Sequence, residues 1–189
     1  MPRLFTAIEI PDAMRMRLSL LRGPIGGAKW VQPGDMHITV RFAGDVDPRT
    51  ADELAALLAD IRISPFAVSL AGAGAFGGRS PRVLWAGVDA GPELDLLYRA
   101  NERAARAAGI EPDPREFRPH VTLARMRGAR QSAVASFLAE NGDLRMEPFL
   151  VTRFVLLSAR PGSGGPPYVL EAAYPLSEEG AFDQASPSS

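Results

Sequence analysis

Two tetrapeptides constrain this chain more than any other feature: His37-Ile38-Thr39-Val40 and His120-Val121-Thr122-Leu123. Between them they hold both histidines of the protein. Each alternates a polar residue with an aliphatic one. Residues two apart in a β-strand share a face, so this is the pattern of a strand that is polar on one side and buried on the other. His37 and Thr39 point one way, Ile38 and Val40 the other; His120 and Thr122 are set against Val121 and Leu123 in the same manner. Threonine is scarce here (Thr6, Thr39, Thr50, Thr122, Thr152). A random scatter would place one two residues after both histidines about once in a thousand chains. The fold must therefore accommodate two equivalent strands from distant parts of the sequence, each presenting a histidine and a threonine.

The intervening sequence supplies the partners. Arg3 to Ile10 has a strand's apolar content, and Pro11-Asp12 stops it. Ala13 to Leu21 reads as a helix, with Met14, Leu18 and Leu21 on one stripe. Met36 to Phe42 carries the first motif. Pro48 suits the first turn of a helix to about Asp60, with Leu54, Leu57 and Leu58 inward. Phe66 to Leu70 and Arg82 to Val88 are strands. Glu93 to Ala108 is a helix with Leu94, Leu97, Tyr98 and Ala105 inward, closed by Gly109. His120 to Arg125 carries the second motif after a proline-rich approach, Glu111 to Pro119. A short helix capped by Ser132 runs to about Asn141-Gly142. Phe149 to Ser158 is a strand, Pro161 to Pro167 a flexible loop, and Tyr168 to Tyr174 a closing strand. About seven strands and four helices result, several neighbouring strands being joined without a helix. That favours an α+β class with antiparallel sheets over a doubly wound parallel fold. Two similar lobes, with one motif strand each, are expected over residues 1–176. Residues 177–189 have little to bury and are expected to form a disordered tail.

One stretch invites a misreading. Gly72-Ala73-Gly74-Ala75-Phe76-Gly77 matches the dinucleotide-binding glycine pattern letter for letter. That motif must open a helix whose N-terminus holds a pyrophosphate. Here Gly78-Arg79-Ser80-Pro81 and a strand follow, so a loose connection between antiparallel strands is the reading adopted.

Composition removes several chemistries. The 189 residues contain no cysteine, which excludes disulfides, thiolate catalysis, thiolate-ligated zinc and iron–sulfur clusters. No apolar run approaches the roughly 18 residues of a membrane helix, and the N-terminus lacks a signal peptide's cleavage site. A cytoplasmic protein, with no membrane association, is the default expectation. The net charge of −1 argues against a surface coated for long nucleic acid. Lys29 is the sole lysine; every other basic residue is arginine, which suits phosphate recognition but also follows from the base composition of a GC-rich genome.

If the motif strands face one another, two imidazoles and two hydroxyls line one groove. A neutral imidazole can take a proton from an attacking hydroxyl while an imidazolium gives one to a leaving oxygen; both roles suit a side chain whose pKa lies near neutrality. The hydroxyls of Thr39 and Thr122 can donate to non-bridging phosphate oxygens as charge develops. Two histidines without converging carboxylates make a poor metal site, and no metal or other cofactor is needed. No Gly-x-Ser-x-Gly elbow suggests a serine hydrolase.

These residues resemble the signature tetrapeptides of the 2H (two-histidine) phosphoesterases, most closely the bacterial RNA 2′,3′-cyclic phosphodiesterases, also called 2′-5′ RNA ligase-like proteins. The similarity runs over about residues 2–176. It includes Leu4 to Ile10, Trp30-Val31, Phe42-Ala43-Gly44-Asp45-Val46, Pro81 to Gly87 and Arg118 to Arg125. The resemblance implies a bilobal fold around a central groove, and metal-independent opening of a terminal 2′,3′-cyclic phosphate on RNA to a 2′-phosphate. It implies His37 as proton donor and His120 as proton acceptor; the spacing itself does not order them. It matches Phe42 to an aromatic position that can stack on a terminal base, and Arg125 to an arginine near the groove. Strict alternation would turn Arg125 away from His120, so a bulge is required. Arg41 stands where the family more often has an apolar or small residue; on a regular strand it would share the His37 face and add a phosphate contact or reach solvent. RNA 3′ ends or nucleotides with a cyclic phosphate are the expected partners, and a monomer without an obligatory protein partner is expected. The reverse reaction, 2′-5′ joining of RNA, and a non-catalytic RNA-end-binding module are the alternatives.

Overall fold

A computed structural model describes residues 3–160 and 167–177. The expected loop at 161–167 and the expected tail lie almost wholly outside the described residues. Among the described residues there are nine strands: β1 (Arg3–Glu9), β2 (Ala28–Trp30), β3 (His37–Asp45), β4 (Phe66–Phe76), β5 (Val83–Ala90), β6 (His120–Met126), β7 (Phe149–Val151), β8 (Arg153–Ala159) and β9 (Tyr168–Pro175). Four α-helices accompany them: α1 (Asp12–Ser19), α2 (Pro48–Ala59), α3 (Pro92–Ala107) and α4 (Gln131–Asn141), with a 3-10 turn at Pro33–Asp35.

All strands join one antiparallel sheet in the order β7-β4-β5-β6-β3-β1-β8-β9, with β2 added to β6. The α+β class holds, and the two lobes are the two halves of this sheet. They meet where the motif strands pair, Ile38 opposite Val121. Each half thus presents its His-x-Thr strand at the centre. Ile38 and Val121 are fully buried, as the alternation requires.

The helices close the back of the sheet. Asp47 caps α2 by accepting from the Thr50 amide at 3.0 Å, and Pro48 opens it where no amide is needed. α2 and α3 pack together against the β3 and β9 side, where the Tyr174 hydroxyl donates to the Ala55 carbonyl at 3.1 Å. α4 covers β4. One apolar core of Leu, Ile, Val and Phe runs behind both halves, and a second, small cluster of Phe5, Ala7 and Val155 lies apart from it. β1 is buried through its five central residues, with Phe5 and Ala7 in the small cluster and Leu4 and Ile8 in the main core.

Three expectations need correction. Phe149 to Ser158 is not one strand: it breaks at Thr152, so that β7 pairs with β4 in one half and β8 with β1 in the other. The glycine-rich stretch is not a loose connection, because β4 continues through Phe76 and pairs with β5 along this length. Helix α4 is not capped by Ser132; it begins at Gln131, after Arg130.

Candidate active site

Both motif histidines are oriented by the backbone two residues before them. His37 Nδ1 donates to the Asp35 carbonyl at 2.8 Å, and His120 Nδ1 donates to the Arg118 carbonyl at 2.6 Å. A carbonyl only accepts, so the proton of each neutral ring sits on Nδ1 and Nε2 is left as the reacting nitrogen. The 3-10 turn at Pro33–Asp35 delivers the first carbonyl, and the Arg118-Pro119 step delivers the second. The Asp35 carboxylate plays no part in this contact. At His37, Nε2 lies 3.1 Å from the Thr39 hydroxyl.

His37, Thr39, His120 and Thr122 line one cleft of about 520 Å³, as the alternation predicted. Phe42 and Arg125 line it too, although regular strands would not bring both there. Each motif strand carries a bulge at the fourth residue of its tetrapeptide. In β3, Thr39 and Arg41 face Ala7 and Thr6, and Val40 is the extra residue. In β6, Thr122 and Ala124 face Trp85 and Leu84, and Leu123 is the extra residue. A bulge flips every later side chain to the other face. Hence the residue five after each histidine, Phe42 or Arg125, returns to the cleft, and the residue four after it turns inward. In the second motif that inward residue is Ala124.

In the first motif it is Arg41, which therefore does not share the His37 face and does not line the histidine cleft. It is buried, and it pairs with Glu102 of α3 while donating to the Phe42 carbonyl and, at 2.7 Å, to the Glu111 carbonyl. Its position ties the end of the bulge to α3 and to the segment that approaches the second motif.

The sequence reading missed the aromatic walls. The His37 ring lies 5.2 Å from Phe5 and 5.2 Å, edge to face, from Tyr168. His120 meets Phe76 edge to face at 4.9 Å and Trp85 at 6.2 Å. Phe5 and Trp85 come from β1 and β5, which pair with the motif strands, while Tyr168 and Phe76 come from β9 and β4, further out in the same sheet. The glycine-rich segment serves this wall. Gly72 and Gly77 take positive φ at a bulge and at the hairpin end, and a Cβ on Gly74 would fall 2.2 Å from the Trp85 ring. The approach segment forms the remaining rim with Asp113, Arg115, Phe117 and Arg118. Arg115 is held by Asp113 at 3.0 and 3.1 Å, with its guanidinium carbon 5.6 Å from the centre of the Phe42 ring.

Burial within this wall pushes the His37 pKa down to about 4, opposed by the Asp35 carbonyl and reinforced by the positive charge of Arg125. Burial lowers His120 as well, with the same opposition from its carbonyl partner and the same push from Arg125. Both rings are thus neutral near pH 7, and Arg125 supplies fixed positive charge to both. Among the described residues no three metal-ligating side chains converge, and no helix is long and apolar enough to cross a membrane.

Comparison with known proteins points to one family. The sequence model of the family described as LigT like phosphoesterase matches residues 8–85 and 88–168. A relative from Aeropyrum pernix named RNA 2′,3′-cyclic phosphodiesterase is 41% identical over 137 residues, 69% of this chain and 78% of its own. Among solved structures, one from Thermus thermophilus superposes with a TM-score of 0.77 at 26% identity, over 92% of this chain and 97% of its own. E. coli LigT complexed with 3′-AMP gives 0.77 over 94% of this chain and all of its own; at 24% identity that is a likeness of fold.

Proposed function

The chain belongs to the LigT like phosphoesterases, and on that footing we propose that it is a metal-independent RNA 2′,3′-cyclic phosphodiesterase acting by paired histidine acid and base. The observation that carries this reading is the pair of imidazoles on one cleft, each with Nδ1 fixed on a backbone carbonyl. His120 Nε2 takes a proton from water as its oxygen bonds to phosphorus. His37 Nε2–H gives a proton to O3′ as the P–O3′ bond breaks. The cyclic diester and one water become a 2′-phosphate and a free 3′-hydroxyl, and proton exchange with solvent resets both rings. Arg125 and the hydroxyls of Thr39 and Thr122 hold the non-bridging oxygens as charge builds. Phe42, beneath Arg115, offers a ring on which the terminal base stacks, worth about 1–3 kcal/mol.

Because burial holds His37 neutral, its proton-donor role requires that it gain a proton on Nε2 when substrate binds. A phosphate anion beside the ring favours imidazolium, so substrate raises the pKa that burial had lowered. The test is an RNA oligonucleotide ending in a 2′,3′-cyclic phosphate, assayed with and without chelator. Formation of a 2′-phosphate end at an unchanged rate in chelator is expected. A 3′-phosphate product, or loss of turnover in chelator, would overturn the reading.

A further inference from the structure

The near-neutral net charge conceals a strong segregation. No Asp or Glu occurs in 13–34, 61–88 or 117–139, and these three segments carry eleven of the 21 basic residues. The fold brings parts of all three together at one end of β6. Lys29 of β2 and Val83 of β5 both stand opposite Arg125. One residue further on, the Met126 amide donates to the Arg82 carbonyl at 2.7 Å, and the Arg127 amide donates to the Gly27 carbonyl at 2.9 Å.

A second hollow of about 530 Å³ opens at this point, lined by Arg79, Arg82 and Arg127 and by no carboxylate. The histidine cleft includes Val83 and Arg125; this hollow includes their chain neighbours Arg82 and Met126. The two are therefore adjacent along the same pair of strands. Lys29, Arg79, Arg82, Arg127 and Arg130 are exposed, and among the described residues none has an ion pair or a side-chain hydrogen bond. Clustered like charges repel one another unless an anion neutralises them. Guanidinium groups in particular match phosphate oxygens.

We propose that this hollow is a backbone track for single-stranded RNA, on which the phosphates upstream of the reacting end rest against Arg79, Arg82 and Arg127. The inference builds on the reading of the histidine cleft as the site for an RNA end. It names the substrate class more narrowly: an oligoribonucleotide with several nucleotides behind its cyclic phosphate, rather than a cyclic mononucleotide. Contacts to phosphates carry no sequence information, so the track is indifferent to base identity.

The test compares the wild type with the triple variant Arg79→Ser/Arg82→Ser/Arg127→Ser. Binding of an oligoribonucleotide of about ten residues with an ordinary 3′-hydroxyl end is measured by fluorescence anisotropy across a salt series. kcat/KM is measured on a cyclic mononucleotide and on the same oligonucleotide with a cyclic end. The expected result is roughly tenfold or greater loss of binding in the variant at low salt, with a shallower salt slope by about 2, since each single-strand phosphate contact contributes about 0.7. Turnover of the oligonucleotide falls in parallel, while turnover of the mononucleotide stays as in the wild type and shows the variant to be folded. Unchanged oligonucleotide binding overturns the track. So does a preference of these arginines for anionic phospholipid vesicles over RNA. If binding depends on the arginines but no cyclic phosphate is turned over, the track stands and the proposed activity fails.

Discussion

At the scale of single residues, the histidines and threonines were readable because strand alternation is a local rule. The neighbours of His37 and Thr39 had to be buried for β3 to stay in the sheet, and Ile38 and Val40 are. Arg41 and the bulges were not readable. A bulge at Val40 or Leu123 depends on the register of β1 and β5, which no local pattern encodes. The need for one at Arg125 could be inferred, since only a bulge returns that side chain to the cleft. The same displacement at Arg41 buried it instead. The electrostatics of His37 lead to a pH experiment. With its pKa pushed down to about 4 in the free protein, the protonated fraction falls as pH rises above that value. Bound phosphate moves the pKa upward. The profile of kcat/KM reports the free protein and that of kcat the complex. The optimum for kcat/KM is expected below pH 6.5, and the optimum for kcat at higher pH. Superimposed optima would show that substrate does not recharge the ring.

At the scale of elements, helix α2 was legible from apolar periodicity and its proline start, α3 from periodicity and its closing glycine, and the motif strands from alternation. The break at Thr152 was not, because an apolar run carries no mark of which partner each part will pair with. The glycine-rich segment shows the same limit from the other side. Its letters match a nucleotide motif, yet each glycine answers a demand of β4: two bends and one close approach by the Trp85 ring. That approach supports the wall beside His120. Gly74→Ala is accordingly expected to lower stability by about 1–3 kcal/mol, the usual penalty for an overpacked site, and to reduce kcat as the Trp85 ring shifts against His120. Denaturant unfolding and steady-state turnover check this together. Unchanged midpoint and rate would mean that the ring is free to move aside.

At the scale of the whole molecule, one continuous antiparallel sheet joins two halves at Ile38 and Val121. The pairing of the innermost strands brings distant tetrapeptides onto one cleft, and the matching bulges give each strand a second residue there. The two halves differ at that second residue: Phe42 offers an aromatic face, Arg125 a positive charge. In the proposed reaction a base and a phosphate need different partners, and these two positions would supply one of each. In the proposed reaction His37 and His120 act as one acid–base unit. The most direct measurement is turnover of a cyclic-phosphate RNA end by His37→Ala, His120→Ala and the double variant, each confirmed folded. Each single change should reduce kcat by about 10²-fold or more. The double variant should be little worse than the weaker single one, because groups that act as a unit are not additive in their loss. Full activity in His120→Ala, or two losses that simply multiply, would contradict the account.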